Sequence, residues 1–347
     1  MSIPKITREY FLKEIGTYQN LTIREVSLQV PKSFEVLVKI HAVSLQYRDV
    51  AISTGRYKVQ SPPELVPCSD MAGEIIAVGE DVESWKIGDR VCANFNADHI
   101  HGDFTHEISR SGYGGQKHGV LTHYKVFQPH SLISIPDHLS FEEASTLPAA
   151  ALTAYSALWG PTPLKSGDTI LVQGTGGVST FALQFAVASG ATVIATSSSD
   201  DKLQIAQSLG AKHLINYKKT LNWDKEVLKM TNGRGVDHVV EIGGAGTLEK
   251  SMNSVRYNGW IHIIGFVSGV GGGQENIIMQ SIDKALLIRG IYVGSVAQFE
   301  DMNRLLSANL EATRPVIDKV FAFEDAVQAY AHLESQTHVG KVVIKVE

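Results

Sequence analysis

Two periodicities divide the chain. From residue 169 onward, short apolar runs alternate with stretches of helical spacing. The runs 169–172, 192–195, 213–215, 238–241, 260–264 and 286–291 read as strands. Segments 178–188, 200–209, 223–230 and 247–255 read as the helices between them. Such alternation predicts a parallel sheet with both faces covered by helices. Six strands complete one doubly wound α/β unit that holds a dinucleotide. The first half of the chain differs. Residues 21–26, 34–42, 71–78, 90–93 and 124–128 are strand-like, and Gly55, Gly73, Gly79 and Gly88 punctuate them with no regular helix between. That predicts a β-rich domain of antiparallel hairpins and turns. After residue 293, helical patterns at 299–308 and 323–333 lead to a final strand at 341–346. A lone strand needs a partner, so this tail is expected to return to the first domain. The active cleft is then expected between the domains, at the carboxyl ends of the parallel strands.

The first strand of the alternating region runs into Gly174-Thr175-Gly176-Gly177-Val178-Ser179, and helical spacing starts at once. This strand–turn–helix suits a dinucleotide pyrophosphate. Gly174 permits the tight turn, and Gly176 clears space where phosphate approaches the main chain. The free N–H groups and positive end of the following helix face the anion. Ser179 stands at the third glycine position and is small enough for close helix–strand packing. The second strand ends at Ser197 and Ser198, where NAD-preferring proteins place a carboxylate for the ribose 2′-hydroxyl. Hydroxyls with a nearby cation suit a 2′-phosphate instead, and Lys202 and Tyr217 follow. NADP(H) is therefore the expected cofactor. Asp200 and Asp201 count against it, and Asp200 is read as a helix cap with first-turn charge. Gly243, Gly265 with Phe266, and Val293 with Gly294 follow the fourth, fifth and sixth strands, and so face the crevice. The glycine run 269–273 reads as a mobile loop.

Composition narrows the function. At 347 residues the chain exceeds what one core usually serves, so two domains are expected. The net charge is −5 and no Lys/Arg block stands out, which disfavours nucleic acid as a partner. No apolar stretch approaches a membrane span, and the N-terminus has no apolar signal core. Cys68 and Cys92 give no disulfide framework, and a cytoplasmic setting is expected.

Several runs together resemble the medium-chain dehydrogenase/reductase superfamily. They are Leu-Gln-Tyr-Arg-Asp at 45–49, Ser-Thr-Gly-Arg-Tyr at 53–57, Met-Ala-Gly-Glu-Ile-Ile-Ala-Val-Gly at 71–79 and Trp-Lys-Ile-Gly-Asp-Arg-Val at 85–91. Leu-Pro-Ala-Ala-Ala-Leu-Thr-Ala-Tyr at 147–155 and Gly-Lys-Val-Val-Ile at 340–344 extend the likeness over almost the whole chain. Within the superfamily it is most similar to the zinc-free quinone oxidoreductase-like and alcohol-dehydrogenase-like branch. The resemblance implies a GroES-like catalytic domain from residues 1–149 and 294–347, and a Rossmann NADP(H)-binding domain, a doubly wound parallel sheet, from 150–293. It also implies a homodimer joined at the sixth strand's edge. Zinc-dependent members carry a Cys, a His and a Cys as catalytic ligands. The matching positions here are Gln46, Ser69 and Ala149. These do not make a zinc site, which needs thiolate, imidazole or carboxylate donors. The structural-zinc lobe needs clustered cysteines, and its segment contains only Cys92. No metal is therefore expected. His99, His101, His106 and His118 offer a metal alternative, but their irregular spacing reads as a surface loop. Cys68 reads as a small buried thiol.

Without a Lewis acid, nothing lowers the pKa of a simple alcohol. An activated double bond is easier, because the enolate or phenolate formed needs only hydrogen bonds and a proton. The expected reaction is NADPH-dependent reduction of a quinone or α,β-unsaturated carbonyl. Gln46 is a candidate amide donor to the carbonyl. Tyr47 and Tyr57 are candidates for orienting substrate or donating the proton. Tyr47 equally suits contact with the cofactor, Tyr57 suits packing under a loop, and Asp49 suits a local ion pair with Arg48. Two other readings stay open: an alcohol dehydrogenase or carbonyl reductase, and a nucleotide-binding protein without turnover.

Overall fold

The computed structural model describes residues 3–269 and 277–346. Beyond Gly269, the predicted glycine loop lies outside these residues. The chain forms two units: Met1–Leu152 with Gly294–Ala308 and Arg314–Glu347, and Thr153–Val293 with Asn309–Thr313.

In the first unit, β1 (Ile6–Leu12) and β2 (Leu21–Ser27) form an antiparallel hairpin. The strands β3 (Val36–Ser44), β4 (Asp70–Val78), β5 (Arg90–Ala93), β6 (Tyr124–Phe127) and β7 (Leu132–Ser134) are joined antiparallel. One expectation fails here. Tyr47–Ser53, in the stretch expected to lack a regular helix, is an α-helix. The Gln46 N–H donates to the Asp49 carboxylate at 2.7 Å, closing the first turn, while Val50, Ala51 and Ile52 pack inward. Seven residues are too few to show a helical period against the strands around them.

The second unit carries β8 (Thr169–Gln173), β9 (Thr192–Ser197), β10 (His213–Asn216), β11 (Val236–Glu241), β12 (Val255–Ile263) and β13 (Leu287–Gly290). They form one sheet in the order β10-β9-β8-β11-β12-β13, parallel throughout. Every residue of β11 is buried, as expected of a strand covered on both faces. The order reverses between β8 and β11, which places the ligand crevice of such a sheet at their carboxyl ends. β12 starts five residues before the predicted 260, at Val255, because the chain pairs with β11 as soon as the helix Leu248–Ser254 ends.

The chain then returns to the first unit. β14 (Ile317–Ala322) and β15 (Lys341–Lys345) are parallel to each other, and β15 pairs antiparallel with β3. The tail thus joins the first domain's sheet, as its lone strand pattern predicts. Among the described residues no helix is long and apolar enough to cross a membrane.

Candidate functional site

The glycine turn follows β8. Gly174 has φ +72°, a conformation natural only to glycine. A Cβ on Gly174 or Gly176 would meet no atom within 4 Å, so the main chain here borders open space. The helix Gly177–Ala188 starts directly behind it, with Thr175 buried in the turn and Val178 in the first helical turn. An open glycine cradle at a helix N-terminus fits the pyrophosphate of a dinucleotide.

The turn is braced by Ser179 together with Gln173, Glu241 and Ser251, which the sequence reading did not single out. The Ser179 hydroxyl donates to the Gln173 carbonyl at 2.6 Å. The Gln173 amide donates to Glu241 at 2.8 Å and to Ser251 at 2.6 Å, and its oxygen accepts from the Ile242 and Gly243 N–H groups. Glu241 is wholly buried. Its carboxylate accepts from the N–H groups of Gly243 and Gly244, both at 2.9 Å, and from the hydroxyls of Thr247 and Ser251. A Cβ on Gly265 would stand 2.4 Å from the Ile242 carbonyl, so the turn bearing Gly265 and half-buried Phe266 presses against the one after β11. The turns after β8, β11 and β12 are thereby locked to one another. The available signal was a polar residue closing each of the apolar runs 170–172 and 239–240.

At the end of β9, Ser197 is buried and Ser198 and Lys202 are half-buried. Tyr217 is exposed, and its N–H donates to the Ser197 carbonyl at 3.1 Å. Asp200 is not the cap itself but carries the expected first-turn charge. Ser199 precedes the helix, and Asp200 is its first residue, bound to the Asn216 amide at 2.6 Å and to the Lys219 ammonium. Hydrogen bonds from Asn216 and Lys219 hold the Asp200 carboxyl below the usual carboxylate range. Val293, the last residue of the second unit before Gly294, has φ +53°. That conformation is strained for a β-branched side chain, and such strain clusters at ligand sites.

In the first unit, Gln46, Ser69 and Ala149 are brought together by the Asp70 carboxylate. One of its oxygens accepts from the Gln46 amide at 2.6 Å and from the Ala149 N–H at 3.0 Å, and the other accepts from the Ser69 hydroxyl at 2.5 Å. Ala149 lies in a wide-turned segment, Leu147–Ala151, that begins a helical stretch, so its N–H has no earlier carbonyl to reach. Asp70, Asp49 and Lys341 are all buried. Burial raises the pKa of Asp70, against the pull of Lys341 and its hydrogen bonds. Burial likewise pushes Asp49 up to about 7 and Lys341 down to about 8. The Lys341 ammonium is anchored on the Leu45 carbonyl.

Asp49 does not form the expected ion pair with Arg48. It is turned inward, with one carboxylate oxygen on the Gln46 N–H and the other without a partner. Arg48 instead donates to the Tyr113 carbonyl and Gln116 and lies over the Tyr57 ring at 5.9 Å. Tyr57 is half-buried against the main core, and Arg56 lies over the Tyr47 ring at 5.8 Å. Cys68 is a buried thiol 3.3 Å from the Tyr330 hydroxyl. His99 departs from the surface-loop reading: it is buried, with a ring nitrogen 3.1 Å from the Gly102 carbonyl. His118 is exposed, and its ring nitrogen accepts the Val66 N–H. Among the described residues no three His, Cys, Asp or Glu side chains form a metal-holding group. Around Asp70 the donors are one carboxylate, one amide and one hydroxyl, a set that does not fit a tetrahedral zinc.

A doubly wound sheet with an open glycine turn and a separate β-rich unit in one chain are the architecture of a nicotinamide-dependent dehydrogenase. Comparison with known proteins agrees. Residues 32–137 match the alcohol dehydrogenase GroES-like domain and residues 177–308 match the zinc-binding dehydrogenase family. A zinc-type alcohol dehydrogenase-like protein of Schizosaccharomyces pombe is 46% identical over 96% of this chain and 97% of its own length. A quinone oxidoreductase of Sus scrofa is 27% identical over 92% of both chains. A crystal structure described as an alcohol dehydrogenase of Sinorhizobium meliloti 1021 superposes with a TM-score of 0.91 at 36% identity, covering 99% of this chain and 100% of the other. The chain belongs to the medium-chain dehydrogenase/reductase superfamily. It is an NAD(P)-dependent oxidoreductase with a Rossmann-like parallel sheet and a GroES-like domain.

Proposed function

We propose that the protein reduces a quinone or an α,β-unsaturated carbonyl with NADPH and without a metal. The observation that carries this reading is the grouping of Gln46, Ser69 and Ala149 on the Asp70 carboxylate, at the positions where zinc-dependent members hold their metal. A simple alcohol would need a Lewis acid there, whereas an enone or quinone needs hydrogen bonds and a proton.

When bound, the reduced nicotinamide supplies a hydride. The chain's own residues do the rest. Gln46 has two amide hydrogens. One is committed to Asp70, and the second donates to the substrate oxygen as negative charge gathers on it. The hydroxyl of Tyr47 or Tyr57 then delivers the proton. On the cofactor side, residues 150–293 hold the dinucleotide. Gly174, Thr175, Gly176, Gly177 and Val178 cradle its pyrophosphate, and Gly243, Gly265, Phe266, Val293 and Gly294 line the remaining turns. Ser197, Ser198, Lys202 and Tyr217 receive the 2′-phosphate. Support for NADPH over NADH comes from the acid of this region: Asp200 is already engaged by Asn216 and Lys219.

The test is NADPH and NADH oxidation with quinones, enals, ketones and alcohols in metal-free buffer. Turnover of quinones or enals, favouring NADPH and indifferent to chelator, is expected. Activity lost on chelation, with zinc bound near one per chain, would overturn the reading. Tight coenzyme binding without turnover on any acceptor would make the protein a nucleotide-binding one.

A further inference from the structure

Three residues far apart in sequence donate hydrogen bonds to one buried carboxylate. Asp70 begins β4, Gln46 precedes the helix Tyr47–Ser53, Ser69 is the chain neighbour of Asp70, and Ala149 lies in the Leu147–Ala151 segment. Both oxygens of Asp70 act only as acceptors: Gln46 and Ala149 share one, and Ser69 takes the other. Lys341, buried in the same core, supplies the opposing charge. A metal would draw these three positions together by coordination. Here an anion does so by accepting hydrogen bonds, which reverses the sign of the centre.

We infer that Asp70 is a positioning residue that replaces the family's metal as the hub of the site, fixing the Gln46 amide so that its second N–H faces the substrate oxygen. The inference rests on the role given to Gln46 above. Its physical content is specific. A half-buried amide side chain is otherwise limited only by rotamer preference, and a hydrogen bond of 2.6 Å to a carboxylate selects one orientation of both its hydrogens. The hub acts through acceptor geometry, so an uncharged acceptor should serve. In Asp70→Asn the remaining oxygen can accept from Gln46 and Ala149 while the new amide donates to Ser69, whose hydroxyl rotates to receive it.

The experiment compares Gln46→Ala, Asp70→Ala, the double variant and Asp70→Asn. Measured are kcat, the KM of coenzyme, metal content by elemental analysis and the melting temperature. Gln46→Ala and Asp70→Ala should each lower kcat about tenfold or more, and the double variant should be no worse than the lower single. Asp70→Asn should stay within about threefold of the parent, with coenzyme KM unchanged throughout. Additive losses in the double variant would overturn the hub, since Asp70 would then act apart from Gln46. So would an Asp70→Asn enzyme as impaired as Asp70→Ala, or zinc that is present in the parent and lost with Asp70. If Asp70→Ala does not fold, the Asp70→Asn rate alone decides. Full activity in Gln46→Ala would sink the Gln46 role itself. A Gln46→Ala loss that Asp70→Ala does not share would sink only the hub.

Discussion

At the scale of single residues, the two sites differ in how they use a buried carboxylate. Asp70 accepts from two side chains and one main-chain N–H, whereas Glu241 accepts from two main-chain N–H groups and three side chains. One Glu241 oxygen receives two backbone N–H groups, which cannot reverse their polarity. The other receives the Gln173 amide and the Ser251 hydroxyl. In Glu241→Gln the new amide nitrogen must therefore sit on the second side, against the Gln173 nitrogen. Ser251 can turn its hydroxyl, but Gln173 is held by the Ile242 and Gly243 N–H groups. One donor is left unpaired, at a cost of about 1–3 kcal/mol. Gln173 immediately precedes Gly174, so the strain falls on the glycine turn. Glu241→Gln should weaken coenzyme binding by about tenfold or more, read by fluorescence titration, with kcat at saturation less affected. An unchanged dissociation constant would separate this network from the coenzyme. The glycines of the turn were legible in the sequence because their backbone demands are local. Gln173, Glu241, Asp70 and Lys341 were not, since their partners are brought together only by strand order.

At the scale of elements, β11 and β12 place two histidines side by side. His238 and His262 are buried, their rings are stacked 5.4 Å apart, and their nitrogens are 3.1 Å apart. That contact needs one ring as donor and the other as acceptor, so neutral rings suit it. Burial, with His238 adding, pushes His262 down to about 3, and burial lowers His238 as well. An unfolded histidine titrates near 6.5, so between there and about 3 the unfolded chain takes up a proton that the folded chain refuses. Stability from this group is complete above about 6.5 and falls as pH drops, by roughly 1.4 kcal/mol per pH unit for one group. The His262→Gln variant should show a shallower loss of urea stability between neutral pH and pH about 5 than the parent. Equal slopes would show that the pair is not what limits acid stability. The parallel strands were legible because each is an apolar run closed by turn residues. Less visible were β14, largely exposed and so without such a run, and the helix Tyr47–Ser53, whose polar first turn looks like a loop.

At the scale of the whole molecule, the sheet of the second unit has a strand edge at β13. Beside it in sequence, the helix Ile277–Asp283 buries none of its residues, and Ile278, Met279 and Ile282 are exposed. Unpaired edges and grouped apolar side chains invite a partner. A homodimer formed through this region is the expected state, and charge placed there, as in Ile278→Glu with Ile282→Glu, should yield monomers by sedimentation. Dimers that persist would move the interface elsewhere. The placement of β15 has a consequence of another kind. It lies between the edge strand β14 and β3 in the first unit's sheet, although more than 290 residues separate Lys341 from Leu45, whose carbonyl that lysine reaches. The second unit's strands, by contrast, are all made by residue 290. On the ribosome the coenzyme-binding sheet can close early, while residues 42–44 of β3 wait for residues 341–345 to leave the exit tunnel. A nascent chain halted before them would expose the edge of β3 at residues 42–44, which β6 leaves uncovered.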